Sequence, residues 1–499
     1  MKPFEPTFAS LSTHSCPMWF RDAKLGIWSH WGPQSVPMCG DWYARNMYIQ
    51  GTPQYLYHLR HYGHPSQFGY KDICSLWKAE RFDPEKLMEK YVKAGARYFV
   101  AQAMHHDHFF NYDSALNRMN SVNVGPKKDI VGLWKEAAKK HGLPFGVSEH
   151  LGASFSWWRV NKGCDTTGPY QGIPYDGSDP AWQDFYYDNY EHAGEHIGEF
   201  PPWYTPNKAF HQYWQDCMTE IIDRYSPDLL YTDGALPFND QWLADDLPYV
   251  LDDRYQKGLE VVAYLYNQSI RIHGENQAVY TQKCRYEDVY RVGVLDMERS
   301  LLPKASPYPW QTDTCIGGWF YDAKAPYKTP REIIDLLVDV VAKNGCVLLN
   351  ILQRPDGSID QEAEYILDEM ANWYKIHGEA IFASRPWKTV GEGDTVLDFK
   401  DYREDAAQWK ENDIRYICKD NIVYAFLMGA KGGMTAVLRS FDEGETIRSV
   451  RILGGSELPF HHDFGILTVP LPEKLPSGYV SCLAIEIVPQ RYPPVTGVC

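Results

Sequence analysis

The chain has 499 residues, 44% apolar and 23% charged, enough to bury one large core and a smaller one. A formal charge of -16 excludes the net basic face that nucleic acid or an anionic membrane would need, and no stretch approaches the ~20 unbroken apolar residues of a membrane span. Eleven cysteines, an odd number scattered singly without a C-x-x-C pair, point to free buried thiols rather than a disulfide framework or a thiolate metal site.

The first twenty residues, MKPFEPTFASLSTHSCPMWF, lack the apolar core of a signal peptide. The expectation is a cytoplasmic chain, or a periplasmic or secreted one from which a leader has been removed. Short β-rich runs then recur along the chain: LGIWSHWG (25–32), RYFVAQAMHHD (97–107), PFGVSEH (144–150), DLLYTDG (228–234), QAVYTQK (277–283), VGVLDMER (292–299), DTCIGGWF (313–320) and VLLNIL (347–352). Helical patterns lie between them. DPEKLMEKYVKAGA (83–96) sets Leu87, Met88, Tyr91 and Val92 on one face, DIVGLWKEAAKKHG follows at 129–142, and TPREIIDLLVDVVAKNG (329–345) has a Thr-Pro start and a Gly stop. Eight strands alternating with helices predict an α/β fold of the (β/α)8, TIM-barrel type, with a doubly wound parallel sheet as the competing architecture. The pattern is weakest over 33–82, which shows no clean helix, and between strands five and seven. Residues 151–206 read as a long loop rich in Trp, Tyr, Gly and Pro, a length that is usually functional. Beyond a helix near 360–377 the texture becomes strands and turns alone. The chain therefore divides into a barrel over 1–384 and an antiparallel β-sandwich over 385–499.

In such a barrel the side chains at the C-terminal strand ends face the active site. The predicted ends carry His30 and Trp31, His105 with His106 and Asp107, Glu149 and His150, Asp233, Lys283, Asp296 and Glu298, and Trp319. A lone Asp-Gly is as often a turn as a catalytic carboxylate. Adjacent strand residues point to opposite faces, so His105 and His106 are poorly placed to share a metal ion, and no metal is expected. Asp296 and Glu298, two apart, project the same way, so either could be a second carboxylate beside Asp233. Two carboxylates in a cleft of His and Trp, with no Ser or Cys nucleophile motif and no phosphate loop, are the equipment of a glycosidase. The aromatic content, 15% with 17 Trp and 35 Tyr, suits a surface that stacks on sugars.

Several blocks in order, WFRDAKLGIWSHWG, GDWYARNMY, AGARYFVAQAMHHDHF, VGPKKDIVGLW, PDLLYTDG and DVVAKNGCVLLNILQRPDG, resemble glycoside hydrolase family 29, the α-L-fucosidases, over most of residues 18–380. The resemblance implies a retaining hydrolase on a (β/α)8 barrel with a C-terminal β-sandwich; no cofactor is expected. It assigns Asp233 as nucleophile and, through a D-x-E-R form, Glu298 as acid/base. His30 matches the sugar-binding histidine of an H-W-G motif and His105 and His106 the pair of an H-H-D motif. Asp41 and Trp42 fall on E-W-Y, with the shorter acid. Tyr231 stands where Trp is common and Lys283 where Arg is common; Trp42 and Trp319 would wall the pocket. His108 replaces a frequent glycine, and Ser148, Glu149 and His150 stand where a tyrosine is common.

The expected activity is release of terminal α-L-fucose from oligo- or polysaccharides. The alternatives are an exo-α-L-galactosidase acting on algal-type galactans, which the polar His108, Glu149 and His150 would favour, and a carbohydrate-binding protein without turnover. The expected partner is carbohydrate, with neither nucleic acid nor membrane.

Overall fold

The computed structural model describes residues 2–190, 203–239, 251–395 and 407–488. Its first eight strands are β1 (Leu25–Ser29), β2 (Tyr98–Met104), β3 (Phe145–Glu149), β4 (Leu229–Thr232), β5 (Val279–Gln282), β6 (Val294–Asp296), β7 (Trp310–Cys315) and β8 (Gly345–Asn350). They pair in parallel in chain order, and β8 closes on β1, so the sheet is a barrel and not a doubly wound layer. Every residue in them is buried. Strands covered on both faces need apolar side chains on both, which is why they read as continuous runs. Successive residues still divide between two environments. Trp28, Tyr98, Val100, Leu229, Tyr231 and Leu348 pack together inside the barrel. Ile27, Phe99, Ala101, Leu230, Tyr280 and Leu349 belong to the layer shared with the helices.

Two close approaches place glycines. A Cβ on Gly26 would stand 2.2 Å from the inward-facing Tyr98 ring. A Cβ on Gly345 would stand 2.7 Å from the Trp310 ring, so this glycine serves packing at the start of β8. The helix before it, Pro330–Ala342, begins with a Thr329–Glu332 capping box. It ends through the left-handed Asn344 (φ +72°) rather than through Gly345. The helix Pro84–Lys93, capped by Asp83, buries Leu87, Met88 and Tyr91, with Val92 half-buried.

Strand seven is three residues earlier than its expected start: β7 is Trp310–Cys315, and Trp319 lies in the connection that follows. The region after β1 holds short helices, Pro53–His61 and Tyr70–Leu76. The expected loop after β3 is built of brief helical turns through Gln183–Tyr186, with Trp157, Trp158, Phe185 and Tyr186 buried; residues 191–202 lie outside the described residues. These two insertions pack on each other, Tyr48 OH donating to Asp176 at 2.6 Å and the rings of Tyr70 and Trp158 meeting at 5.7 Å. Only the four-residue helix Glu287–Tyr290 connects β5 to β6, and residues 297–309 carry no helix.

After the helix Gln361–Ile381 the chain is antiparallel β. One sheet holds β9 (Arg385–Glu392), β10 (Ile414–Lys419), β11 (Ile422–Leu427), β13 (Ile447–Ile452) and β16 (Ser481–Ile487); the other holds β12 (Thr435–Leu438), β14 (His461–Asp463) and β15 (Ile466–Pro470). Ile414, Tyr416, Val423, Leu438, Leu467 and Leu483 share the core between them. Buried Asp339, on the barrel helix Pro330–Ala342, accepts from Arg415 of β10 at 2.7 Å and pairs with Lys343 at 2.6 Å. That buried carboxylate is matched by two cations, which offsets its desolvation and ties sandwich to barrel. No described helix is long and apolar enough to cross a membrane. The ten described cysteines are free.

Candidate active site

β4 ends at Thr232, and the next residue is held from both sides. Asp233 N–H donates to the Glu149 carbonyl of β3 at 3.0 Å, and the Gly234 carbonyl accepts from Lys283 N–H at 2.7 Å. Gly234 takes φ +94°, so the Asp-Gly pair is a turn and also delivers a carboxylate to the barrel mouth. There it meets a cavity of about 370 Å³ lined by Trp28, His30, Asp41, Trp42, His105, His106, His150, Trp203, Tyr231, Asp233, Lys283, Glu298, Asp313 and Trp319. The ten residues named from the sequence, Asp233, Glu298, His30, Asp41, Trp42, His105, His106, Tyr231, Lys283 and Trp319, all border this one cavity.

Lys283 organises the carboxyl groups. Its ammonium lies 2.7 Å from Asp233 Oδ1, also contacts Glu298 Oε2, and stands 3.6 Å from Asp313 Oδ2. The side chains of Lys283, Asp233 and Glu298 are 8%, 12% and 22% exposed, so little water screens them. Burial alone would push the Asp233 carboxyl up. The Lys283 ammonium opposes it most strongly, and Asp233 is held well below the usual carboxylate range. For Glu298 burial is the largest effect; Lys283 opposes it, the Asp313 and Asp233 charges add to it, and the group is raised to about 7. Two neighbouring carboxyls are thus driven apart, one ionised and one protonated. Asp41 is also raised to about 7, by burial first, against the 2.8 Å hydrogen bond its Oδ1 accepts from Trp42 N–H.

The histidines present donors. Ala44 N–H donates to Gln34 Oε1 at 3.3 Å, which fixes that amide so that its NH₂ donates to His105 Nδ1 at 2.8 Å. His105 must then carry its proton on Nε2. His30, His105 and His150 each offer a nitrogen within 4.8 Å of the others, but the N–H of His105 makes the trio a poor metal cage and a good hydroxyl-binding wall. Burial holds His30 and His105 well below the ordinary imidazole range and His150 at about 3, so all three are neutral. His106 differs. Its Nδ1 donates to the His150 carbonyl at 2.6 Å while Nε2 lies 3.2 Å from Asp233 Oδ2. Asn350, at the end of β8, accepts from His30 N–H at 3.0 Å and donates to the Trp319 carbonyl at 2.8 Å, fixing two walls at once.

Several expectations change. His105 and His106 border the same cavity because β2 stops at Met104, so strand alternation no longer separates them. Asp107 turns away to Tyr70 and to Phe109 N–H. His108 does not reach the cavity: it is 1% exposed, and its ring is bonded to the Phe185 carbonyl and to Tyr213 OH, both at 2.8 Å. Its φ of +59° supplies the physical reason for glycine as the alternative at this position. Glu149 is buried beneath the rim, where it accepts from Leu151 N–H at 2.8 Å, whereas His150 lines the cavity. Glu298, not Asp296, borders the cavity. Met297 and Arg299 N–H donate to Gln311 and Asp313 carbonyls, each at 2.9 Å, so the ladder outruns β6 and Glu298 sits one layer above Asp296.

Sequence reasoning did not single out Trp28, Trp203 or Asp313. Trp28 sits inside a strand that reads as core, and it is aimed by its Nε1–H bond to Ser148 Oγ at 3.0 Å. Trp203 belongs to a loop without periodicity. Asp313 stood at the start of the misplaced seventh strand, the wrong end of the barrel.

A family model described as Alpha-L-fucosidase matches residues 1–379. The tissue alpha-L-fucosidase of Macaca fascicularis is 27% identical over 491 residues, spanning 96% of this chain and 89% of that protein. The tissue alpha-L-fucosidase of Homo sapiens is 26% identical over 488 residues, spanning 95% and 89%. Among solved structures, Thermotoga maritima alpha-fucosidase in complex with fucose matches with a TM-score of 0.70 at 23% identity, covering 96% of this chain and 99% of that one.

Proposed function

The chain belongs to the alpha-L-fucosidase family and is a glycoside hydrolase, and from that premise we propose that it releases terminal α-L-fucose with retention of configuration. The observation that carries the proposal is Lys283 touching one carboxyl held ionised and one held protonated at the same cavity wall. Oxygens that share one ammonium lie within the ~5–5.5 Å of double displacement, too close to admit the water of a single displacement. Asp233 attacks the anomeric carbon as Glu298 gives its proton to the departing glycosidic oxygen, leaving a glycosyl ester on Asp233. Glu298, now ionised, takes a proton from water, whose oxygen attacks the same carbon and frees Asp233. His30, His105, His106 and Asp41 bind ring hydroxyls, while Trp42, Trp203 and Trp319 form the apolar walls against which a C6 methyl needs no partner.

The pH dependence follows from the two carboxyls. Asp233 must be ionised and is so throughout the ordinary acidic range; Glu298 must be protonated and loses its proton at about 7. For an aryl α-L-fucoside, kcat/KM is level on the acid side and falls about tenfold per pH unit above that point. A profile level for about two further units would contradict the assignment.

Rates with aryl α-L-fucoside and aryl α-L-galactoside test the substrate. With His108 outside the cavity, one of the polar changes that favoured L-galactose no longer bears on the sugar. The fucoside is preferred, and His108→Gly leaves the ratio of kcat/KM values unchanged. A preference above about a hundredfold, ~2.7 kcal/mol, excludes the galactosidase reading; a ratio that moves in the variant restores His108 to the site. Binding of both free sugars with turnover of neither glycoside would favour the non-catalytic alternative.

A further inference from the structure

TIM-barrel interiors are filled mainly by branched apolar side chains. Beneath the catalytic carboxyls this one is polar. Gln311 and Asp313, two apart on β7, and Asp296, at the end of β6, are each no more than 1% exposed. Tyr98 OH donates to Gln311 Oε1 at 2.7 Å, and Gln311 Nε2 donates to Asp296 Oδ1 at 2.8 Å. Tyr231 OH donates to Asp313 Oδ2 at 2.6 Å, the oxygen that also faces Lys283. This leaves Asp296 Oδ2 and Asp313 Oδ1 buried with no N–H or neighbouring hydroxyl to bind. The two side chains are diagonal neighbours on one face, since Asp296 stands opposite Gln311 in the β6–β7 ladder and Asp313 lies two residues further along β7. Carboxylates carry only acceptors, so the two orphaned oxygens can satisfy each other only if a proton lies between them.

We propose that Asp296 and Asp313 share one proton, carried by Asp296, and act as a positioning pair that holds Lys283 between Asp233 and Glu298 and keeps the catalytic proton on Glu298. The proposal rests on the roles given above to Asp233 and Glu298. The assignment of the proton follows from the partners. Asp313 has a phenol and an ammonium to stabilise its charge, whereas Asp296 has only the neutral amide of Gln311. Burial, then the charge of Asp313, pushes Asp296 well above the usual carboxyl range. Burial pushes the Asp313 carboxyl up as well, but Lys283 and the Tyr231 hydroxyl oppose it, so of the pair it is Asp313 that carries the charge, facing Lys283 from below. It draws on the ammonium that would otherwise stabilise ionised Glu298, and its charge helps keep Glu298 neutral. Glu298 is faced by Lys283, Asp313 and Asp233, with Asp41 across the cavity; Asp313 is faced by Tyr231, Lys283, Asp233 and Asp296, with Tyr98 below.

The test contrasts two isosteric changes. Asp313→Asn removes an anion, so Glu298 ionises more readily, and the basic limb of kcat/KM for an aryl α-L-fucoside moves down by about one pH unit. Asp296→Asn replaces a neutral acid by a neutral amide whose N–H can still donate to Asp313, and the limb stays within about 0.3 unit of the wild type. Infrared difference spectra provide a readout without turnover: the carbonyl stretch of one protonated carboxyl present in the wild type is missing in Asp296→Asn. A limb that moves as far in Asp296→Asn as in Asp313→Asn, or an unchanged protonated-carboxyl band, overturns the proposal. Should Asp313→Asn fail to fold, the infrared comparison still decides. A wild type inactive on every α-L-fucoside would defeat the functional reading instead and leave the infrared result standing.

Discussion

Asp233→Ala lowers kcat/KM for an aryl α-L-fucoside by about 10⁴-fold, ~5.4 kcal/mol of lost transition-state stabilisation. It leaves the unfolding midpoint near that of the wild type, because the side chain lines the cavity at the end of β4 rather than packing inside the barrel. Both neighbours gain freedom in the variant: Lys283 loses its 2.7 Å partner and His106 its 3.2 Å partner. Without the carboxylate no glycosyl ester can form. Small anions such as azide can occupy the vacated space, attack the anomeric carbon directly and give the inverted fucosyl azide. Retention of even a tenth of the activity, or rescue that yields a product of retained configuration, would remove Asp233 from the role.

Glu298→Ala produces a different signature. Substrates with poor leaving groups lose about 10²–10⁴-fold, since they need the proton, while activated aryl fucosides form the glycosyl ester at nearly the normal rate and stall there. Azide then restores turnover by attacking that ester, and its product keeps the α configuration. The fall in kcat/KM above about 7 disappears with the group that causes it. Rescue in Asp296→Ala or Glu149→Ala with none in Glu298→Ala would move the acid/base role, against the position of those two side chains beneath the cavity.

The barrel was legible because each strand is buried on both faces and ends where the apolar run meets polar residues, as DLLYTDG does at Asp233. Short strands are anchored less securely. DTCIGGWF invites a start at Asp313 because the preceding WQT looks no more strand-like than the loop before it, yet the ladder with β8 begins at Trp310. That slip of three residues hid Asp313 by placing it at the wrong end. The histidine pair illustrates the converse: alternation rules out a shared face only while a strand continues, and here it stops at Met104. At His108 the residue type suggested a wetter pocket, while the backbone angle that turns the ring toward Phe185 and Tyr213 is a tertiary property invisible in a lone imidazole. Trp203 reaches the cavity from a connection whose sequence has no period to read.

Covalent bonding of Asp233 to the sugar is tested most directly by intact and peptide mass analysis after incubation with 2-deoxy-2-fluoro-α-L-fucosyl fluoride. The fluorine at C2 slows release of the ester more than its formation. The expected result is a gain of one fluorofucosyl unit per chain, carried by the peptide that contains DLLYTDG and located on Asp233. Turnover of the reagent with no labelled protein, or a label on any other carboxylate, would contradict it.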